Sequence, residues 1–195
     1  MKLAHSMASL ALLTLTSMFP ALASAQDAGG YVGGSLGQSN FDDGNAIPDL
    51  ITSGTVHGTD TGYKIFVGYQ FNQNFGLEFA YVDLGEASYR GSYFGLSVTG
   101  GTVKVSGLNI SAVGTLPLNP SFALFGKVGM FSWDAKANDI TGGVPFSGKD
   151  DGTDLSFGLG ASYNINKNVS VRGEWERYQA IGDIDLLSVG LVVKF

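Results

Sequence analysis

Seven charged residues, Lys64, Glu78, Lys127, Arg172, Glu174, Glu176 and Lys194, stand in otherwise apolar or small-residue surroundings, each at an alternate position of an extended run. Acids and bases placed together in a dry interior must pair or neutralise. The chemistry open to them is therefore a salt-bridged plug or a narrow, gated ion path. Other chemistries are less well provided for. His57 has Ser53, Thr55 and Asp60 near it in sequence, the residue types of a hydrolase, yet no nucleophile motif surrounds these serines and nothing in the spacing makes the groups converge. Asp42-Asp43, Asp49, Asp60, Asp150-Asp151 and Asp154 could attract a divalent cation, but EF-hand spacing is absent. Gly33-Gly-Ser-Leu-Gly37 and Phe157-Gly-Leu-Gly-Ala161 imitate phosphate loops, but no helix follows them. No catalytic residue, metal site or cofactor is expected.

The elements that must carry these charges are strands. Eight segments alternate with period two, near residues 29–39, 60–72, 75–86, 101–117, 121–134, 153–165, 169–180 and 184–195. Ile65, Val67, Tyr69 and Phe71 oppose Lys64, Phe66, Gly68 and Gln70. Phe75, Leu77, Phe79 and Tyr81 oppose Gly76, Glu78, Ala80 and Val82, and Val169, Val171, Gly173 and Trp175 oppose Ser170, Arg172, Glu174 and Glu176. Asn72-Gln-Asn74, Leu118-Asn-Pro120 and Asn166-Lys-Asn168 read as tight turns. The other links, around residues 40–59, 87–100, 135–152 and 181–183, are mostly longer and rich in Gly, Asp and Thr. An even number of strands joined alternately by short and long links implies an all-β fold, an eight-stranded antiparallel up-and-down transmembrane β-barrel.

Volume decides which face is inside. Eight strands enclose little more than their own side chains. Packing nearly every Phe, Tyr and Leu inward would overfill that space, so the large apolar face points to lipid and the smaller, polar face fills the lumen. Tyr69, Phe71, Phe75, Phe122, Tyr163 and Phe195 then form an aromatic girdle near the short turns. At a rise of ~3.3 Å per residue and a tilt of ~40°, Glu78, Arg172, Lys127 and Glu174 fall about 10–15 Å from the short-turn rim, close enough to meet.

The chain ends agree with this. Lys2, the apolar run from Leu10 and the small residues Ala23-Ser-Ala25 make residues 1–25 a signal peptide cleaved between Ala25 and Gln26, leaving 26–195 as one barrel domain. The absence of cysteine excludes disulfides and thiolate metal sites, and a formal charge of −6 argues against nucleic acid as a partner. The last strand alternates to a terminal aromatic. Its Ser188, Gly190, Val193 and Phe195 occupy the specified places of the C-terminal assembly signal of outer-membrane barrels.

Gly62-Tyr-Lys-Ile-Phe-Val-Gly-Tyr-Gln-Phe-Asn72 with Gly76-Leu-Glu-Phe-Ala-Tyr81, and Val171-Arg-Gly-Glu-Trp175 with Ile181-Gly-Asp183, resemble the second hairpin and the seventh strand of the OmpA-like transmembrane domain family. The resemblance implies interior charges that pair across the barrel, with Glu78, Arg172 and Lys127 at matching positions. Val113 and Ser162 stand where an interior lysine and glutamate would align, which removes a complementary pair and with it the basis for gating by partner exchange. The chain is expected to be a barrel-only member without a peptidoglycan-binding domain.

The expected function is a non-enzymatic protein of the bacterial outer membrane that supports envelope integrity and presents surface loops. Its partners would be outer-membrane lipid and lipopolysaccharide, periplasmic chaperones and the barrel-assembly machinery. The alternatives are a small gated pore, a channel for apolar solutes, a soluble lipocalin-like carrier and a lipid-A-modifying enzyme.

Overall fold

The computed structural model describes residues 28–41, 53–93, 96–141, 144–180 and 182–195. The expected signal peptide, with its Ala25–Gln26 junction, and Asp42, Asp43 and Asp49 lie outside them. Eight strands, β1 (Gly29–Phe41), β2 (Ser53–Gln70), β3 (Phe75–Tyr93), β4 (Leu96–Pro117), β5 (Phe122–Thr141), β6 (Val144–Asn164), β7 (Val169–Gln179) and β8 (Asp183–Lys194), pair in sequence order. Strand β1 then pairs with β8, and the sheet closes into an antiparallel barrel. No helix among the described residues is long and apolar enough to cross a membrane.

The three short turns share one device. In each, an asparagine side-chain oxygen accepts backbone N–H groups two and three residues on: Asn72 from Asn74 and Phe75, Asn119 from Ser121 and Phe122, and Asn166 from Asn168 and Val169, at 2.8–2.9 Å. The asparagine thus reverses the chain by mimicking a backbone turn. At the other rim the strands outrun the sequence expectation. Residues 40–41, 53–59, 87–93, 96–100, 135–141 and 144–152 were expected to be loop and are strand. Here the ladder continues beyond the region where one face must be apolar, so the period-two signal fades while the hydrogen bonds persist. His57, expected in a loop, lies on β2 opposite Ser88.

The alternation sorts as expected. Exposed large apolar side chains form an outer belt, including Ile65, Leu77, Phe79, Leu108, Ile110, Met130, Leu159, Leu187 and Leu191. Phe71, Phe75, Tyr163 and Phe195 are exposed near the short-turn rim. Water would not tolerate so continuous an apolar surface, whereas hydrocarbon requires it.

The lumen differs from the expectation that small and polar side chains fill it. Tyr31, Phe66, Phe125, Phe131, Trp133 and Tyr178 are buried inside. They fit because glycines lie beside them on neighbouring strands. A Cβ on Gly33 would strike the Phe66 ring, one on Gly68 the Tyr31 ring and one on Gly160 the Phe125 ring. Gly107 and Gly152 make the same room for Phe131 and Trp133, with ring atoms 2.8 Å from where a Cβ would sit. Counting aromatics on one strand overestimates crowding when the adjacent strand supplies glycine in register.

Candidate functional site

The interior has two layers. Nearer the short turns, alternation aims Lys64 from β2, Glu78 from β3, Lys127 from β5, and Arg172, Glu174 and Glu176 from β7 into one buried cluster. Lys64 Nζ is 2.6 Å from Glu176 Oε2 and also pairs with Glu174. Lys127 Nζ is 2.8 Å from Glu174 Oε2 and 3.2 Å from Glu78 Oε1, and pairs with Glu176 as well. Arg172 Nη1 donates to Glu78 Oε2 at 2.6 Å, and its Nη2 is 3.3 Å from Glu174 Oε2. The Tyr31 hydroxyl donates to Glu78 Oε2 at 3.1 Å.

Three cations and three anions thus neutralise one another, with no side chain of the six more than 7 % exposed. Each charge has at least two opposite partners, the condition under which burying ions becomes tolerable. The Arg172 guanidinium also lies over the Phe125 ring at 4.1 Å and the Phe66 ring at 5.0 Å, which supply favourable quadrupoles on its planar faces.

The register puts Val113 opposite Lys127 and Ser162 opposite Arg172. The two positions at which the resemblance implies further charges therefore border this cluster, and its six charges balance without them. Lys194 does not join. It is exposed at the short-turn rim, one residue from the chain end, where its Nζ donates to Asn164 Oδ1 at 3.3 Å. The residues expected to form an assembly signal divide by facing. Ser188 is buried in the lumen, while Val193 and Phe195 are exposed outside. Phe195 N donates to Gly30 O at 2.9 Å, tying the end of the chain to its first strand.

Above the charges lies an apolar layer that sequence reasoning missed. Val82, Leu84, Val105, Phe131, Trp133, Tyr178, Ile184 and Leu186 form a buried cluster. The Phe131 and Tyr178 rings meet at 4.7 Å. The signal was available: Val82, Val105, Phe131 and Ile184 occupy the same face parity as the inward charges. The described lumen thus holds two packed layers, one ionic and one apolar.

Two of the aspartates considered for a cation site have structural roles. Asp154 Oδ2 accepts the Trp133 indole N–H at 2.8 Å. Asp60 caps an irregularity between β2 and β3, accepting the N–H groups of Thr61 and Glu86, both at 2.7 Å. Among the described residues no group of three or more His, Asp or Glu side chains could hold a metal ion. Gly33, Gly37, Gly158 and Gly160 are strand glycines, as expected.

The OmpA-like transmembrane domain family matches residues 25–189. The chain belongs to that family. It is 32 % identical over 186 residues to outer membrane protein A of Yersinia pseudotuberculosis serotype I (strain IP32953), covering 90 % of this chain and 51 % of the relative. It is 30 % identical over 190 residues to outer membrane protein A of Serratia marcescens, covering 90 % and 52 %. The chain spans about half the length of the curated relatives it matches. Among solved structures, OprG of Pseudomonas aeruginosa superposes with a TM-score of 0.64 at 15 % identity, over 88 % of this chain and 98 % of that one. Ail of Yersinia pestis gives 0.57 at 17 % identity, over 87 % and 99 %. These likenesses at low identity concern the fold. Family and fold together make this an OmpA-type barrel of the bacterial outer membrane.

Proposed function

We propose that this OmpA-like barrel is a closed, non-catalytic element of the outer membrane that contributes to envelope integrity and presents surface loops at its long-link rim. The neutral six-charge cluster supports this reading most strongly. A gated path needs ions that can exchange partners or admit a solute, whereas here each charge is held by several opposite ones and an apolar layer lies above. Contact with phospholipid and lipopolysaccharide follows from the belt. Periplasmic chaperones and the barrel-assembly machinery would read the last strand through Ser188, Gly190, Val193 and Phe195. Single-channel recording of the refolded chain in planar bilayers is the test. The closed barrel gives no steady current at neutral pH, and reproducible unitary conductance would favour a small pore instead.

A further inference from the structure

The outer face carries a basic row that the interior cluster does not explain. Lys104 on β4 pairs in register with Lys136 on β5, and Lys136 with Lys149 on β6. All three are exposed on the same outward face as the belt. Neighbouring strands are ~4.8 Å apart, so three like charges stand side by side, an arrangement that costs stability in a sheet. Lys104 is partly compensated by Asp83 at 3.1 Å. Lys136 and Lys149 have no ion-pair partner among the described residues, although Asp134 and Asp151 lie one row below on the same face. The Lys136 and Lys149 ammonium groups are therefore uncommitted among the described residues and can meet an outside anion, with Lys104 beside them in register.

Their height narrows the choice of anion. Descending the same face, the rows are Ser106–Asp134–Asp151, then Leu108–Ser132–Thr153, then the wholly apolar Ile110–Met130–Leu155. At a rise of ~3.3 Å per residue and a tilt of ~40°, Lys104 stands about 10 Å beyond Leu108, the last exposed large apolar residue of β4 among its described side chains. This is where hydrocarbon gives way to headgroups, on the rim opposite the short turns, and flexible lysine stems can reach back toward it.

We propose that Lys104, Lys136 and Lys149 bind phosphate groups of a phosphorylated glycolipid headgroup in the outer leaflet. The proposal rests on the outer-membrane placement above and on charge complementarity, a strip of three cations on an otherwise acidic chain of formal charge −6. Lysine suits this role as a point charge that tolerates varied phosphate orientation.

The test uses the full chain refolded in neutral maltoside micelles, with lipid A or enzymatically dephosphorylated lipid A added, and binding read by native mass spectrometry. Lys136→Gln/Lys149→Gln is the principal variant, since Lys104 also serves Asp83. Lys167→Gln, in a short turn at the opposite rim, is the control. With about fivefold from each lysine near an anionic lipid surface, the double variant should bind lipid A roughly 25-fold more weakly. The control should bind as the parent does, and dephosphorylated lipid should bind weakly to all. Equal binding by the double variant, or equal binding of both lipids by the parent, would overturn the proposal. A second readout keeps folding separate. Without lipid, Lys136→Gln relieves repulsion and should unfold no earlier than the parent, whereas a merely structural lysine would lower the midpoint. Failure of the closed-barrel reading would show as conductance, which these measurements do not report.

Discussion

Lys64 Nζ and Glu176 Oε2, from strands on opposite sides of the chain's sequence, meet at 2.6 Å inside a closed barrel. Removing the cation alone, as in Lys64→Met, leaves Glu174 and Glu176 sharing only Lys127 and Arg172. Breaking a buried pair in this way costs about 3–5 kcal/mol. The urea midpoint in micelles should fall accordingly. Lys64→Met/Glu176→Leu, which removes both partners, should recover most of the loss, and a double variant as unstable as the single would show that the pair is not the relevant unit.

Closure in two layers predicts redundancy. Phe131→Ala should cost about 3–5 kcal/mol as a cavity in the apolar layer, yet leave planar-bilayer recordings silent because the ionic layer still blocks the lumen. Current through Phe131→Ala alone would assign the barrier to the apolar layer.

The glycine–aromatic fit predicts a compensating pair. Gly160→Val would drive its Cβ into Phe125, whose ring covers the Arg172 guanidinium. Overpacking of this kind costs about 1–3 kcal/mol. Gly160→Val/Phe125→Ala relieves the clash, so its thermal midpoint should lie above that of Gly160→Val. If it lies below, stacking on Arg172 matters more than the clash.

Asp60 predicts a local pH response. It lies beyond Tyr63, the outermost exposed large apolar residue among the described side chains of β2, and the N–H groups of Glu86 and Thr61 hold its carboxyl below the usual carboxylate range. A lowered folded-state value means the contribution is complete above the ordinary carboxylate range and is lost as pH falls through the depressed value. Amide exchange at Glu86 should accelerate at acid pH relative to the barrel wall. Asp60→Ala, which has no side-chain acceptor, should show fast exchange there at every pH. Nearby Gly85, at φ 78°, lies against the Asp60 carboxylate, so Gly85→Ala is strained by its backbone and clashes as well.

At the closing seam, a Cβ on Gly30 would sit 2.6 Å from Phe195 Cε2. Gly30→Leu should therefore displace the terminal ring and lower the yield of heat-modifiable barrel, as deletion of Phe195 should. Normal yield from both variants would remove Phe195 from the assembly signal.

The strand count, the short turns and the facing of Glu78, Lys127, Arg172 and Glu174 could be read from the sequence because lipid on one side enforces strict alternation. The upper reaches of β3–β6 could not, since water on the outside imposes no such contrast. Nor could the fate of Lys194. Its parity matched the interior set, but parity does not reveal where the rim begins and water takes over. The interior aromatics were misjudged because their space comes from glycines on other strands, a fact of register that no single segment contains.

Strands β3 to β6 have 19 to 22 residues, while β7 and β8 have 11 and 12. With about 25 Å of each spent crossing the apolar band, β3 to β6, and β2 with its 18 residues, continue well beyond the lipid, while β7, β8 and the 13-residue β1 stop near it. A sequence grafted at the β3–β4 tip would be held aloft on a mast, whereas one grafted between β7 and β8 would lie in the undergrowth of surface sugars. The same insert could thus be visible to an antibody at one site and screened at the other.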